Sequence, residues 1–424
     1  MLFAGCGGCS SGAKQAGLQI VAATDIDPDC ESTYQKNFRN GKFLLADINR
    51  ITPEDLLDFG GLSDADFLIG GPPCQGFTSA GAKKWEDPRN SLVKRFVEFV
   101  ASIKPTWFIM ENVEGFLTTR NGFYLAEAVH RLIKSGYWIR VEKVNMAYHG
   151  VPQYRKRVFT VGNSLGIRFS FPRPTHLPKQ PSSRFPLPNS LEVGLDRLWQ
   201  DCYSPLVTVQ DAISNLPVEV EKEPVEAPSP LTDFQRLMYH SDPLYHHVAK
   251  THATELLERI KILQPGQRMR DLPSSLQHPS YKNRAHRRVM DGTPTEKRGG
   301  PPAGLIRLKP DQPCLTISSA APSEFIHPTY NRLLTLRECA RLQTFPDNFV
   351  FKDSRTSIAS QIGNAIPPLY MKTLIEHILK YDSAVIHADE EKWLGITATY
   401  SKGMSPALVS SLAAIERRAR EALE

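Results

Sequence analysis

The chain lacks the sequence features of membrane, exported and disulfide-linked proteins. None of its apolar runs approaches the roughly 18 residues that a membrane-spanning helix needs. Its first residues have neither a basic start nor an apolar signal core, so we expect no export. The seven cysteines are scattered and odd in number, which is not typical of a disulfide framework and predicts a reducing cytoplasm.

Clustered metal ligands are also missing from the sequence. Cys6 and Cys9 form a Cys-x-x-Cys pair, but no second pair stands at a matching spacing, so we expect no bound metal. Four histidines fall close together without cysteine partners, and we interpret them as surface or packing residues: His240, His246, His247 and His252.

The composition is that of a globular protein with a substantial core. Of its 424 residues, 41% are hydrophobic and 23% are charged. A chain of this length predicts about two or three domain-sized units. The net charge of +6 is a weak indication of a polyanionic partner.

Short apolar runs alternate with amphipathic segments from residue 1 to about 165. We predict strands at Gln19–Thr24, Asp66–Ile69, Thr106–Met110, Ile139–Asn145 and Val158–Val161. We predict helices between them at Cys30–Asn37, Asn90–Ile103 and Tyr124–Ser135. This alternation predicts an α/β fold with a doubly wound, mostly parallel, Rossmann-like sheet and helices on both faces.

The sequence changes character after about residue 170. Eleven prolines between Phe171 and Pro230 predict connecting loops. Residues 265–309 then carry an excess of seven positive charges, which an ordinary solvated loop would also explain, but we favour a phosphate-binding region. Its cations are Arg268, Arg270, Lys282, Arg284, Arg287, Arg288, Lys297, Arg298, Arg307 and Lys309.

Helical patterns return towards the end of the chain. We predict helices at Leu333–Leu342 and at Pro367–Leu379, the second with proline at its favoured early position. A charged helix is predicted at Leu408–Leu423, and we expect it to be solvated or to bind a partner.

A glycine-rich turn follows the predicted first strand at Phe3-Ala4-Gly5-Cys6-Gly7-Gly8. Asp25 ends the next strand about 20 residues later, where a carboxylate typically accepts hydrogen bonds from a ribose. Asp47 follows another short apolar run and is expected to accept an adenine amino group. Ser10 departs from the dinucleotide pattern, so these residues alone indicate only a nucleoside-containing cofactor. Only Leu2 and Phe3 remain for the first strand, so either this strand is short or the true start lies upstream.

A thiol and a carboxylate follow two neighbouring predicted strands. Cys74 lies in Gly-Gly-Pro-Pro-Cys-Gln after the strand that ends at Ile69, which places it at the ligand-binding edge of the sheet. A lone cysteine is more often a small buried hydrophobe. Its position at a strand end, on a loop stiffened by two prolines, favours a reactive role instead. Glu111 ends the strand Thr106–Met110 at the same edge, and Arg155 and Arg157 precede the strand Val158–Val161.

This combination suits attack on an electron-poor ring such as cytosine. Addition of a thiolate to carbon 6 makes carbon 5 nucleophilic. A carboxylate holds the amino group and nitrogen 3, and an arginine on the exocyclic oxygen stabilises the developing charge.

Taken in order from residue 2 to about 380, the motifs resemble those of the DNA cytosine-5 methyltransferase family. They are Phe3-x-Gly5-x-Gly7, Asp47-Ile48, Pro73-Cys74-Gln75, Asp87-x-Arg89-Asn90-x-Leu92, Glu111-Asn112-Val113, Gln153-x-Arg155-x-Arg157, Arg332 to Pro346 and Gln361 to Pro368. The resemblance implies Cys74 as nucleophile, Glu111 as the base-holding carboxylate, and Arg157 on the cytosine oxygen with Arg155 in support.

The resemblance also implies the cofactor S-adenosyl-L-methionine and a duplex DNA substrate. The expected cofactor contacts are Phe3, Gly5, Gly7, Asp25, Ile26, Asp47, Ile48, Pro73, Leu92, Asn364 and Ala365. The expected DNA contacts are Gln75, Arg287 and Arg288. We expect a catalytic domain at 1–171, a target-recognition region at 172–327, a return segment at 328–383 and a helical tail at 384–424.

The family implies a bacterial, cytoplasmic enzyme that we expect to be a monomer and to protect DNA beside a restriction endonuclease or another defence system. Two alternatives stay open. One is the tRNA-methylating branch, whose recognition region is typically much smaller. The other is a catalytically inactive DNA-binding homologue, which the complete set of motif residues argues against.

Overall fold

The structure is a computed structural model. It describes residues 1–73, 91–180, 182, 203–218, 220–279, 281, 304–381, 392–397 and 406–424. The chain divides into two compact units. The first unit comprises Met1–Gly150, Tyr154–Leu206 and Ala365–Glu424, and the second comprises Val151–Gln153 and Val207–Asn364.

The strands and helices of both units follow in chain order. The strands are β1 (Ala22–Asp25), β2 (Lys42–Leu45), β3 (Phe67–Gly70), β4 (Trp107–Val113), β5 (Trp138–Asn145), β6 (Gln153–Tyr154), β7 (Lys156–Asn163), β8 (His176–Leu177), β9 (Ser204–Pro205), β10 (Ile306–Arg307), β11 (Cys314–Leu315), β12 (Phe325–Ile326) and β13 (Trp393–Thr397). The helices are α1 (Gly8–Gln15), α2 (Pro28–Asn37), α3 (Pro53–Gly60), α4 (Ser91–Ile103), α5 (Phe123–Lys134), α6 (Val209–Ile213), α7 (Asp233–Met238), α8 (Thr254–Ile262), α9 (Ala321–Glu324), α10 (Leu336–Leu342), α11 (Arg355–Asn364), α12 (Pro368–Ile378) and α13 (Pro406–Arg420).

The long sheet of the first unit has the strand order β2-β1-Leu2-β3-β4-β7-β5-β13. Its strand pairs are parallel, except that β7 runs antiparallel to both β4 and β5. The prediction of a mostly parallel α/β sheet is therefore confirmed. The five predicted strands and the three predicted helices of residues 19–161 are present, with ends that differ by at most three residues.

The first strand is reduced to a single bridging residue. Leu2 pairs with Thr24 of β1 on one side and with Gly70 of β3 on the other. Its amide donates to the Ile69 carbonyl over 2.8 Å, and the Ala4 amide donates to the Thr24 carbonyl over 3.0 Å. The short strand is therefore sufficient to join the two halves of the sheet.

Helices cover both faces of this sheet, as alternation along its strands shows. On β4, Phe108 and Met110 belong to the hydrophobic core that also contains the buried residues of α4 and α5. On β7, Val158 joins the same core, whereas the ring of Phe159 lies 5.0 Å from that of Tyr370 in α12. Among the described residues, no helix combines the length and apolarity needed to cross a membrane.

The C-terminal tail corrects one expectation. Its helix α13 is not simply solvated, because Ile415 and Ala419 are completely buried in the main core. The tail also contains a strand that the sequence patterns do not predict. This strand, β13, pairs in parallel with β5 and extends the long sheet. The tail is thus part of the first unit rather than a separate appendage.

The second unit begins and ends at different residues from those predicted for the recognition region. Helix α10, which was assigned to the return segment, lies in the second unit. There the Arg341 guanidinium binds the Asp347 carboxylate through two hydrogen bonds of 2.7 and 2.8 Å and donates to the Ala212 carbonyl over 3.1 Å. These buried contacts join α10 to α6, so the chain returns to the first unit only at Ala365.

Candidate active site

Glu111 and Arg157 form an ion pair at the end of the central strands. In the antiparallel ladder of β4 and β7, Val113 pairs with Arg157 and Glu111 pairs with Phe159. Glu111 and Arg157 are therefore diagonal neighbours on one face of the sheet. Arg157 Nε lies 2.9 Å from Glu111 Oε1, and the two side chains are only 16% and 12% exposed.

Burial raises the pKa of the Glu111 carboxyl, while the nearby Arg157 and Arg155 guanidinium groups act in the opposite direction. Burial prevails, so this carboxyl binds a proton more readily than an ordinary glutamate does. A carboxyl of this kind suits hydrogen bonding to a ring nitrogen that gains a proton during the reaction.

Arg155 and Arg157 differ in their surroundings although they are only two residues apart. Arg155 is completely buried, and its Nη2 donates to the Ala365 carbonyl over 2.9 Å. Burial lowers the pKa of Arg155 well below its ordinary value. Arg157 is partly exposed and donates through Nη1 to the Lys156 carbonyl over 2.8 Å. Arg155 is therefore placed to support the site internally, and Arg157 is the arginine that faces outward.

The segment that leads to the predicted nucleophile passes directly beside Glu111. A Cβ atom on Gly71 would lie 3.2 Å from Glu111 Oε2. Asn112 Nδ2 donates to the Pro72 carbonyl over 3.1 Å. Cys74 and Gln75 lie outside the described residues, as do Arg287 and Arg288. Asn112, which sequence reasoning did not select as a site residue, therefore anchors the start of the Pro-Cys loop.

The glycine turn lies where the first strand meets α1. Phe3, Gly5 and Gly7 have φ angles of 52°, 52° and 97°, in the left-handed region. A Cβ atom on Gly7 would lie 2.3 Å from the Phe38 ring, so only glycine fits there. The Gly5 amide donates to Asp25 Oδ2 over 2.8 Å, which ties the turn to the end of β1.

Most of the remaining cofactor candidates lie in the first unit, on the elements that follow this turn, whereas Asn364 ends α11 in the second unit. Asp25 Oδ1 also accepts from the Ile26 amide over 2.8 Å, and burial raises the pKa of the Asp25 carboxyl. The Ile26 side chain is 65% exposed, an unusual state for a large apolar group. Ile48 is buried in the core, against which Leu92 packs. Pro73 and Asn364 are exposed.

Three other described thiols are unsuited to nucleophilic attack. Burial raises the pKa of Cys6 to about 12 and that of Cys9 and Cys30 further, so these thiols stay protonated at neutral pH. Among the described residues, no group of three or more His, Cys, Asp or Glu side chains is arranged to hold a metal ion. His246 and His247 are packing residues, as predicted, and His247 bonds Thr335 and the Pro217 carbonyl.

Comparison with known proteins identifies the family. A family model described as C-5 cytosine-specific DNA methylase matches residues 1–380. The chain belongs to this family. It is an S-adenosylmethionine-dependent DNA cytosine-5 methyltransferase, as the motifs predicted, and neither the tRNA-methylating alternative nor the inactive homologue is favoured.

Named relatives extend over nearly the whole methylase. The Type II methyltransferase M.DdeI of Desulfomicrobium norvegicum is 35% identical, with 90% of this chain and 88% of that protein covered. The Type II methyltransferase M.AgeI of Thalassovita gelatinovora is 32% identical, with 89% and 98% covered.

A solved structure supports the fold of the methylase. It is that of a protein described as a DNA modification methyltransferase encoded within an E. coli prophage. Its TM-score is 0.62 at 24% identity, and the match covers 89% of this chain and 97% of that one.

The residues of the first unit fit the nucleoside part of S-adenosylmethionine. At Gly5 of the left-handed turn a Cβ atom would meet nothing within 4 Å, and a carboxylate at the end of β1 stands next to an exposed apolar side chain. Asp25 and Ile26 would hold the ribose and cover the adenine, and Asp47 would accept from the adenine amino group.

One expected phosphate ligand is internal to the second unit. Arg307 is 4% exposed, and its five donor contacts bind the carbonyls of Leu263, Ile260, His327 and Tyr330 and the side chain of Asn331. Its sequence neighbourhood suggested DNA binding, but these contacts stabilise the unit itself. Arg307 is therefore removed from the cations expected to contact DNA.

Proposed function

We propose that this methylase acts through a covalent bond between Cys74 and carbon 6 of a flipped-out cytosine. The observation that supports the proposal is the Glu111–Arg157 pair at the end of β4, beside the Gly71–Pro73 segment that leads to Cys74. A carboxyl of raised pKa and a partly exposed guanidinium are the two groups that would orient a cytosine ring.

Each residue has a distinct role in the proposed reaction. The Cys74 thiolate adds to carbon 6, while Glu111 holds the amino group and nitrogen 3 and Arg157 holds the exocyclic oxygen. S-adenosylmethionine supplies the methyl group that carbon 5 takes up. Removal of the carbon-5 proton by a base then re-forms the ring double bond and releases Cys74. The cytosine must leave the duplex stack to reach this site, at a cost of about a few kcal/mol.

We further propose that the enzyme modifies a specific sequence of double-stranded DNA as part of a restriction–modification or related defence system. The support is that M.DdeI and M.AgeI are named Type II methyltransferases. We place the enzyme in the cytoplasm as a monomer, with a cognate endonuclease as functional counterpart. A reducing compartment suits a mechanism that needs a free thiolate.

A duplex that contains 5-fluorocytosine tests the proposed mechanism. Fluorine cannot leave carbon 5 as a proton does, so the enzyme should become trapped in a covalent adduct that needs the cofactor and that survives denaturing electrophoresis. Cys74→Ala should abolish both the adduct and methyl transfer. Cys202→Ala, a change at a cysteine outside every motif, is the matched control and should preserve both. Methyl transfer by the Cys74→Ala variant would exclude the mechanism.

A further inference from the structure

Arg95 joins helix α4 to the loop that follows β2. Its Nε donates to the Ile48 carbonyl over 3.2 Å, and its Nη2 donates to the Ile51 carbonyl over 2.7 Å. The same guanidinium pairs with Glu98 and lies 5.2 Å from the centre of the Phe99 ring. A side chain with this many contacts holds one conformation, although it is 23% exposed.

The loop that Arg95 holds contains Asp47, the predicted acceptor of the adenine amino group. Within it, Asp47 Oδ1 accepts hydrogen bonds of 3.0 Å from both the backbone amide and the side chain of Asn49. These local bonds shape the turn but do not attach it to the rest of the unit. Arg95 provides an attachment through two carbonyls, one on the residue next to Asp47 and one three residues further along.

The side of α4 that carries Arg95 also carries Leu92, and it contacts this part of the chain again at Ser102. Leu92 precedes Arg95 by three residues and therefore projects from the same helix face. Seven residues after Arg95, Ser102 Oγ donates to Glu54 Oε1 over 2.9 Å. One face of α4 thus meets the segment that runs from Asp47 into α3, and Arg95 in that face donates to two backbone carbonyls of the segment.

We propose that Arg95 is a positioning residue for the adenine of S-adenosylmethionine. By binding the Ile48 and Ile51 carbonyls, it keeps the Asp47 carboxylate and the Ile48 side chain in a fixed position relative to Leu92. The inference rests on the proposed placement of adenine against Asp47. Arg95 lies outside all the sequence motifs, and its contacts become evident only in the folded chain.

The preference for adenine over inosine provides the test, because this preference would not change if Arg95 had a purely structural role. Isothermal calorimetry on the full chain would compare S-adenosylhomocysteine with its inosine counterpart, which lacks the amino group that Asp47 is expected to bind. Arg95→Ala should weaken binding of the adenine compound about tenfold, equivalent to about 1.4 kcal/mol. It should weaken binding of the inosine compound by less than about twofold, because that ligand makes no amino contact to lose.

Two further variants make the result decisive. Arg95→Lys keeps the charge but replaces the planar fork by a single ammonium, so it should give an intermediate loss even if the alanine variant folds poorly. Lys94→Ala, on the same helix at a side chain 36% exposed, should leave both affinities unchanged. Equal weakening of both nucleosides, or an unchanged preference for adenine, in the Arg95 variants would overturn the inference.

A variant of Asp47, the residue expected to bind adenine, distinguishes this inference from the proposed adenine placement on which it rests. If Asp47→Ala keeps the full preference for adenine, the proposed adenine placement is wrong and the role of Arg95 falls with it. If Asp47→Ala removes the preference while the Arg95 variants retain it, the placement stands and only the positioning role is wrong.

Discussion

At the residue scale, the two units use buried charge for different purposes. The Arg341–Asp347 pair in the second unit is completely buried and bonded through both carboxylate oxygens, so neither partner is available to a ligand. The Glu111–Arg157 pair keeps some exposure, and burial still raises the pKa of Glu111 despite its arginine neighbours. The Glu111–Arg157 pair therefore costs folding free energy when Glu111 is ionised. Such a cost is expected of a site built for binding rather than for stability.

Glu111→Gln tests this cost through the pH dependence of stability. Because the folded state raises the pKa of Glu111, the wild-type protein loses a stabilising contribution as pH rises through that pKa. The amide does not ionise and has no such loss. In urea titrations the free energy of unfolding of the variant, relative to wild type, should therefore increase as pH rises above the ordinary range of a glutamate carboxyl, while methyl transfer falls by roughly 100-fold or more.

The control for this experiment is the same substitution at a solvated glutamate. Glu376→Gln, at a side chain 45% exposed on α12, should show a much smaller pH trend because water already solvates the carboxylate. If the stability of Glu111→Gln relative to wild type declined as pH rises, this would contradict the conclusion that burial raises the pKa of the Glu111 carboxyl.

At the scale of elements, the C-terminal strand and helix complete the catalytic unit. Helix α13 packs against α5, where Arg418 Nε lies 2.6 Å from Glu127 Oε1. The Trp393 indole of β13 donates to Glu416 of α13 over 2.7 Å. A Cβ atom on Gly122, in the turn between β4 and α5, would lie 3.0 Å from the Ile415 side chain. The tail therefore packs against the turn that follows β4, the strand that carries Glu111.

Ile415→Ala should destabilise the catalytic unit because it removes a completely buried side chain from the core. Loss of such a group typically costs about 2–5 kcal/mol. Urea unfolding would measure the difference. Val409→Ala, on the same helix at a residue 49% exposed, is the control and should cost less than about 0.5 kcal/mol. Equal effects at the two positions would show that α13 does not contribute to the core.

At the scale of the whole molecule, the positive charge that suggested DNA binding is not uniform in its role. Arg307 stabilises the second unit, whereas Arg270 and Lys309 are exposed. Arg287 and Arg288 stay predictions, because they lie outside the described residues. The net charge of the region therefore overstates the number of its cations that can meet phosphates.

Replacing Arg287 and Arg288 together by alanine should weaken DNA binding and flatten its salt dependence. Each lost phosphate contact reduces the slope of log K against log salt by about 1, so we expect a reduction of about 2. Fluorescence anisotropy over a salt series would measure it. The matched control removes two exposed cations from α13 through Arg417→Ala and Arg420→Ala and should leave both the affinity and the slope nearly unchanged. An unchanged slope in the first variant would place the DNA contacts elsewhere.

The target sequence of the enzyme is also a property of the whole molecule. Loops that contact base edges follow no simple code, so the modified sequence must be measured. Bisulfite sequencing of DNA from cells that express the protein would reveal it directly. Methylation restricted to one short sequence is the expected result, and an absence of new methylated cytosines would contradict the proposed role in modification.

The sequence by itself determined the family, the type of reaction and most of the sheet. Motif residues such as Glu111 and Asp25 lie at or near the carboxyl ends of apolar strands. Both the strand period and the ligand-binding edge of a parallel sheet can be predicted from local sequence. Tertiary structure alone decided three other matters: that Trp393–Thr397 is a strand, that Arg307 is internal, and that Arg95 holds the Ile48 loop. Each depends on a partner distant in the sequence. A short apolar run becomes a strand, and an arginine becomes structural, only when the fold supplies a neighbouring strand or a set of carbonyls.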